Sequence, residues 1–444
     1  MQNKMPKILF IQPTQYAEDG NLCKQHKINL PSLSFPLLAA YTPNNWEIEL
    51  NIEVVDEINY ESDADIVAIS SMGISTLRGF EIGEKFKKKG KIVVMGGYMV
   101  SIANDIGKNY VDTIVVGDAE ISYPLMLKDF EETGTLKAIY NNPIDNLDNL
   151  PIPKYELLMQ KKIGNMLPVQ AGRGCSYHCT FCSIACLYKG KYMTRPVDDV
   201  IRDIKEVKRL GFNRFYLIDD NIISNPKYLT ELCEKITPLK MNWASQCTLS
   251  LAKNPKLLNT VVKSGCDLMS FGVESILQES IDSVNKPWLK ASDHEHSIKT
   301  LYKAGITVST EMIIGTDYDT VASIKKTAEF VNQNKIAIPR FYILTPVPGT
   351  QLYSDMKKEN RLVTEDFKRF DGTECMHIPK KMIPEEVTEM YWWLNNEIFS
   401  FKSIFYRTLF NKQLWKNIPM LLFSIVINIH YRMYVKKKVS PNIF

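Results

Sequence analysis

Short apolar runs separated by helix-period stretches dominate the first 350 residues. The runs at 8–12, 52–56, 66–70, 92–97 and 114–117 (Ile8-Leu9-Phe10-Ile11-Gln12 is the first) are apolar almost throughout rather than alternating. Strands buried on both faces of a parallel sheet read that way. Helical stretches such as 77–89 lie between several of them, and each run closes on Gly, Ser, Asp or Pro. The pattern predicts a doubly wound α/β domain with ligands at the carboxyl ends of its strands. A second series follows, with strands predicted at 214–218, 241–245, 268–272, 308–314 and 340–344. Helices are predicted between them at 197–210, 227–236, 255–264, 294–303 and 320–334. With a strand ahead of residue 175 this makes six βα units, an α/β barrel or partial barrel with active residues at the carboxyl ends. Asn141-Asn142-Pro143 and Pro151-Ile152-Pro153 break helices and mark a linker between the two series. The expected division is 1–139, a linker at 140–165, a barrel at 166–360 and a helical C-terminal region at 361–444.

Charge changes the picture only at the end of the chain. The net charge is +4, yet residues 401–444 hold eight Lys/Arg and no Asp/Glu, so 46 basic and 50 acidic residues precede them. A body with slight negative charge argues against nucleic acid as partner. The tail reads as a helix carrying Ile418 to Ile427, ten residues too short to span a bilayer. An apolar face, aromatics and unopposed lysines fit a basic amphipathic helix lying on an anionic membrane surface. A helix packed on the barrel with a solvated basic end fits equally. Nine cysteines and no visible targeting segment imply thiols kept for metal in a reducing, cytoplasmic compartment, peripheral to the inner face of a membrane if the tail docks there.

The chemistry is concentrated in Gly174-Cys175-Ser176-Tyr177-His178-Cys179-Thr180-Phe181-Cys182. Three thiolates in C-x3-C-x2-C suit an iron–sulfur cluster with one iron left open. With Cys186 and His178 near by, a zinc knot or plain buried thiols are the alternatives. At the predicted strand ends stand Asp219-Asp220-Asn221, Gly272-Val273-Glu274-Ser275, Glu311 with Gly315, and Pro346-Val347-Pro348-Gly349. Asp219, Asp220 and Asn221 can accept bonds from a bound amino group, or cap a helix. Period-two alternation puts Glu311 and Gly315 on one face. Lys286 reads as an exposed lysine, with pairing to a carboxylate as the alternative. Arg173 can neutralise a cluster or sit in an ion pair. Phe341 and Tyr342 read as barrel packing.

The cysteine stretch resembles the cluster loop of the radical S-adenosylmethionine (SAM) enzymes, C-x3-C-x-aromatic-C, with Phe181 as the aromatic residue. The resemblance implies a [4Fe–4S] cluster on Cys175, Cys179 and Cys182, SAM on the fourth iron, and Phe181 beside the adenine. It leaves Cys186 spare. It implies SAM contacts at Asp219, Asp220, Asn221, Glu274, Gly315 and Gly349, with Glu274 and Glu311 reaching SAM or substrate in catalysis. The first third resembles the cobalamin-binding domain of one branch of these enzymes, through Val55-Asp56-Glu57, Gly96-Gly97 and Gly117-Asp118-Ala119-Glu120. There Ile58 stands where D-x-H-x-x-G would put a cobalt-ligating His, so the implied cobalamin has no protein imidazole. Ser70, Gly96 and Gly97 are the implied corrin contacts. The function implied is cleavage of SAM to a 5′-deoxyadenosyl radical and cobalamin-dependent methylation of an unactivated carbon on a small, lipid-like substrate. A reductant such as flavodoxin or ferredoxin is the implied partner. A radical SAM oxidoreductase or cyclase without cobalamin, and a membrane-associated iron–sulfur redox protein, are the competing readings.

Overall fold

A computed structural model describes residues 5–366, 369–370 and 372–441. The chain forms two compact units, with the border after Pro168. In the first, strands β1 (Lys7–Gln12), β2 (Glu47–Ile52), β3 (Ile66–Ser70), β4 (Ile92–Gly96), β5 (Thr113–Val115) and β6 (Ile139–Tyr140) form one parallel sheet in the order β2-β1-β3-β4-β5-β6. Ile8, Leu9, Phe10 and Ile11 are all fully buried. Helices on both faces explain why the strands are apolar without alternation. One predicted strand is displaced: β2 ends at Ile52, where 52–56 was expected to be extended. The carboxylate of Asp56 accepts from the Ile52 N–H at 2.8 Å, and the Val55 and Asp56 N–H groups return to the Ile52 carbonyl, which closes a turn. The expected linker is also corrected. Leu147, Tyr155 and Leu158 are buried and Ile28 bridges Ile163, so this proline-rich segment is seated within the first unit.

The second unit is built on β7 (Leu167–Gln170), the small antiparallel pair β8 (Gly172–Gly174) and β9 (Tyr192–Thr194), then β10 (Arg214–Ile218), β11 (Asn242–Thr248), β12 (Cys266–Glu274), β13 (Thr307–Ile314) and β14 (Ile338–Ile343). The large sheet runs β14-β13-β12-β11-β10-β7, parallel from β10 to β14. It is an open six-stranded arc, a partial barrel with β7 and β14 at its borders. Helices Val197–Arg209, Pro226–Ile236, Pro255–Lys263, His294–Ala304 and Val321–Gln333 follow the strands as expected. Their starts are written locally: Asn225, Asn254 and Thr320 accept from the N–H three residues on, and proline fills the first helical position of two.

Three further helices, Pro384–Ile398, Phe401–Leu409 and Ile418–Lys436, pack beside β14 and helix Val321–Gln333. Their keystone is Arg407, fully buried with no carboxylate bonded to it among the described residues. It donates to the carbonyls of Ile336 (2.6 Å) and Ile398 (3.0 Å), to Asn428 Oδ1 (2.9 Å) and to Ser403 Oγ (3.2 Å). Burial lowers its pKa to about 9, which still leaves it charged at neutral pH. The last helix departs from expectation twice. It runs 19 residues, long and apolar enough by composition to cross a bilayer, because Tyr431, Met433 and Val435 extend the apolar run past the polar His430 and Arg432. Apolar residues occupy both faces: Met420, Leu421, Ile427, Tyr431 and Val435 are buried together with Ser424 and Asn428, while Leu422, Val426 and Met433 are exposed.

Candidate active site

The cysteine loop joins β8 to β9. Gly174 enters it at φ +83°, a left-handed turn packed against the Lys191 carbonyl that a side chain would obstruct. Cys182 N–H returns to the Cys179 carbonyl at 3.2 Å, and a short helix, Ser183–Tyr188, carries the chain back to β9. The loop is anchored to three strand ends. After β10, Asp220 accepts from the Gly174 N–H at 2.7 Å and the amide of Asn221 lies 3.7 Å from Cys175 Sγ. After β12, Asn285 donates to the His178 carbonyl at 2.7 Å and Thr180 N–H reaches the Val284 carbonyl, while Trp288 stacks on Tyr177 at 3.9 Å. After β14, Leu352 N–H bonds the Thr180 carbonyl at 2.9 Å, and Cys186 Sγ donates to the Gly349 carbonyl at 3.0 Å. Phe181 and Leu352 pack against the cluster of Val284, Ile313 and Leu344.

A buried ion pair stands beside the thiols. Glu274, non-glycine at φ +59°, pairs with Lys286, whose ammonium lies 5.9 Å from the Phe181 ring centroid. Burial alone would lower the Lys286 pKa; the Glu274 carboxylate and the nearness of Cys179 raise it. A side chain on Gly272 would collide with the Glu274 carboxylate, so that glycine is a packing requirement of the pair. Lys286 is thus part-buried and paired with a carboxylate, the alternative to the exposed lysine expected. Burial pushes the Cys179 thiol up to about 12 and also raises Cys182.

The other expected residues divide. Asp219 is committed to the fold: it accepts from Tyr192 OH (2.7 Å) and Asn221 N–H (2.8 Å), clasping β9 to β10, and burial pushes its carboxyl up to about 7. None of Asp219, Asp220 and Asn221 caps the following long helix through its side chain; Asn225 does. Glu311 accepts from Ser270 and pairs with Arg340, its register partner on β14. Its second carboxylate oxygen and Arg340 Nε are buried without partners among the described residues. The Arg340 charge is held by Glu311, and burial beside this pair raises the Tyr342 phenol. Gly315 turns at φ +87° with Val387 against it and its carbonyl bonded by His377 Nε2 at 2.7 Å. Its immediate partners are the C-terminal region rather than the cysteine loop. Arg173 donates to Gln170 at 3.0 Å. Lys286, Arg340 and Tyr342 were missed as site residues. Their only sequence signal was a charged or phenolic group inside a buried βα series.

In the first unit Ser70, Gly96 and Gly97 do come together. Ser71 N–H reaches the Gly96 carbonyl at 3.4 Å. Gly97 sits at φ +118° where a side chain would strike the Ser71 carbonyl. The Tyr98 hydroxyl fills the space over Gly73. Asp56 and Glu57 are tied to Lys161 and Lys24, and Ile58 is half-buried beside them.

The fit of a cluster follows from the donor set. Cys175, Cys179 and Cys182 are free thiols of one loop, the soft donor set that iron–sulfur centres take. A single zinc would need its ligands at about 2.3 Å, whereas a four-iron cluster takes three thiolates at separate corners. Beside Cys175, the Oδ1 atom of buried Asn221 has no partner among the described residues. An orphaned acceptor there suits a donor on a bound group.

Residues 169–331 match the family model described as the Radical SAM superfamily. Bacteriochlorophyllide d C-12(1)-methyltransferase of Chlorobaculum tepidum is 27% identical over 416 residues, covering 91% of this chain and 90% of the relative. Hopanoid C-2 methylase of Rhodopseudomonas palustris is 26% identical over 353 residues, 76% of this chain and 66% of the relative. In fold, the chain is similar to the cobalamin-dependent S-adenosylmethionine radical enzyme OxsB (TM-score 0.69, 14% identity, 96% of this chain and 72% of that one). It is also similar to the radical S-adenosylmethionine methyltransferase TsrM from Kitasatospora setae (TM-score 0.63, 13% identity, 80% and 76%). The matched segment is a radical SAM domain that holds the cysteine loop and the strands beside it, and relatives of methyltransferase type run nearly the length of the chain, which together support an enzyme of the radical SAM methyltransferase type.

Proposed function

We propose that the chain cleaves SAM reductively at a [4Fe–4S] cluster held by Cys175, Cys179 and Cys182, and directs the radical to cobalamin-dependent methylation of an unactivated carbon on a hydrophobic, lipid-like substrate. The observation that carries this is the anchoring of the three-cysteine loop and the short helix after it to the segments that follow β10, β12 and β14. Bound there, the cofactors supply the electron, the 5′-deoxyadenosyl radical and the transferable methyl group. The chain supplies position and charge. Asp220 fixes the loop entry through Gly174. Asn221 offers its free Oδ1 to the SAM amino group. Lys286 sets a cation beside the thiols, and Glu274 holds it there. Phe181 and Gly349 shape the wall for adenine. Glu311, with Arg340 and Tyr342, gives the barrel interior one polar point at which a substrate is oriented.

Ser70, Gly96 and Gly97 are the proposed corrin contacts, and Ile58 leaves cobalt without an imidazole. Support comes from the OxsB and TsrM structures, which hold cobalamin. Methylation is supported by the relatives' names, and a carbon-rich substrate by their bacteriochlorophyllide and hopanoid. A second reading, radical chemistry without cobalamin, is favoured by Ile58 alone.

The test is anaerobic reconstitution with iron, sulfide and cobalamin, then SAM with a flavodoxin or ferredoxin reductant. Methionine and 5′-deoxyadenosine are expected from the intact chain and not from the triple Cys175→Ala/Cys179→Ala/Cys182→Ala variant. Equal amounts from both would remove the assignment. A cluster spectrum without corrinoid bands would remove cobalamin only.

A further inference from the structure

The C-terminal helices leave an apolar surface that the barrel chemistry does not use. On Phe401–Leu409 the exposed stripe is Phe401, Phe405 and Leu409; on Ile418–Lys436 it is Leu422, Val426 and Met433. The helices are tied at both ends: the Arg432 guanidinium sits 4.6 Å over the Phe401 ring, and Trp415 in the connection donates to the Leu409 carbonyl at 2.8 Å. Val426 is 65% and Phe410 64% exposed, values at which a monomer in water gains nothing from being apolar. Around the stripes stand six exposed lysines, Lys402, Lys412, Lys416 and Lys436 to Lys438, with no acidic residue from 401 to 444.

We infer that this two-helix surface docks flat on an anionic lipid bilayer. The apolar stripes enter the headgroup boundary and the lysines meet lipid phosphates. Charge decides for lipid over a second copy of the chain, because two copies face to face would bring twelve lysines against one another. The helix lies on the bilayer and does not cross it. Its inner side is fastened through Asn428, which donates to the Ala337 carbonyl at 2.8 Å and accepts from Arg407. Drawing it into the bilayer would strand those groups without partners. The inference is independent of the cofactor assignments.

The experiment is co-flotation of the full chain with vesicles of phosphatidylglycerol and phosphatidylcholine, or of phosphatidylcholine alone, read without SAM or cluster. Binding to the anionic vesicles is expected. Leu422→Glu/Val426→Glu should lower it about tenfold or more, and Lys436→Glu/Lys437→Glu/Lys438→Glu should erase the preference for anionic lipid. All substituted side chains are exposed, and a matching melting temperature shows that the variants fold. A wild-type chain that stays with the soluble fraction, or variants that bind like wild type, would overturn the inference. So would a dimer in sedimentation that Leu422→Glu/Val426→Glu dissociates while the wild type ignores vesicles.

Discussion

At the scale of single residues, the Glu274–Lys286 pair carries the sharpest expectation. Both are nearly buried, and removing one partner strands a charge. Lys286→Met should destabilise the cluster-free chain by about 3–5 kcal/mol. Adding Glu274→Gln should recover most of that loss. Radical formation, read as 5′-deoxyadenosine, should stay low in both if the cation matters to chemistry. Recovery of stability and activity together would reduce the pair to a structural one. The cysteines were legible because their spacing is local, three thiols within eight residues. Lys286 and Arg340 were not, because what pairs them is distant. Glu274 meets Lys286 through a left-handed backbone turn, and Arg340 meets Glu311 across a strand register, neither of which a one-dimensional pattern records.

Elements were read well where periodicity was long. The helices of the barrel fall within about two residues of their expected ends, since Asn or Thr caps and prolines write their starts. The failures were at ends governed by side-chain bonds: Asp56 turns the chain back at Ile52, and the last helix runs on through His430 and Arg432. His377 offers a test of how one element is held. Its Nε2 bonds the Gly315 carbonyl after β13 and its Nδ1 lies 3.4 Å from Cys375 Sγ. Burial lowers its pKa from 6.5 to about 4. A depressed pKa means stability present above the unfolded value and lost as pH falls through the folded one. The wild type should therefore lose up to about 3 kcal/mol between ~pH 6.5 and ~pH 4 that His377→Gln does not lose. Parallel melts of the two proteins across that range measure it; equal slopes would remove His377 from the acid response.

On the scale of the whole molecule, two parallel α/β units and a helical end were visible in the alternation of runs, because each βα repeat advertises itself. The polar residues on the buried side of the last helix were not. Asn428 is held there by Arg407, a residue that seemed part of a basic tail and is enclosed by carbonyls. The cobalamin reading makes a prediction at this scale. Adding hydroxocobalamin to the full chain should slow amide exchange at the Ser70–Gly73 and Gly96–Gly97 turns by about tenfold at saturation. Unchanged exchange there would detach cobalamin from these turns.

The open arc of the second sheet has a further consequence. A barrel short of closure presents two unpaired strands, each a template on which a neighbouring molecule could extend the sheet. Here each of those borders carries a proline, Pro168 in β7 and Pro339 in β14, and the four strands between them carry none. A residue without an N–H interrupts any foreign ladder at its first bonds. The open arc is thereby kept from becoming a seam for aggregation.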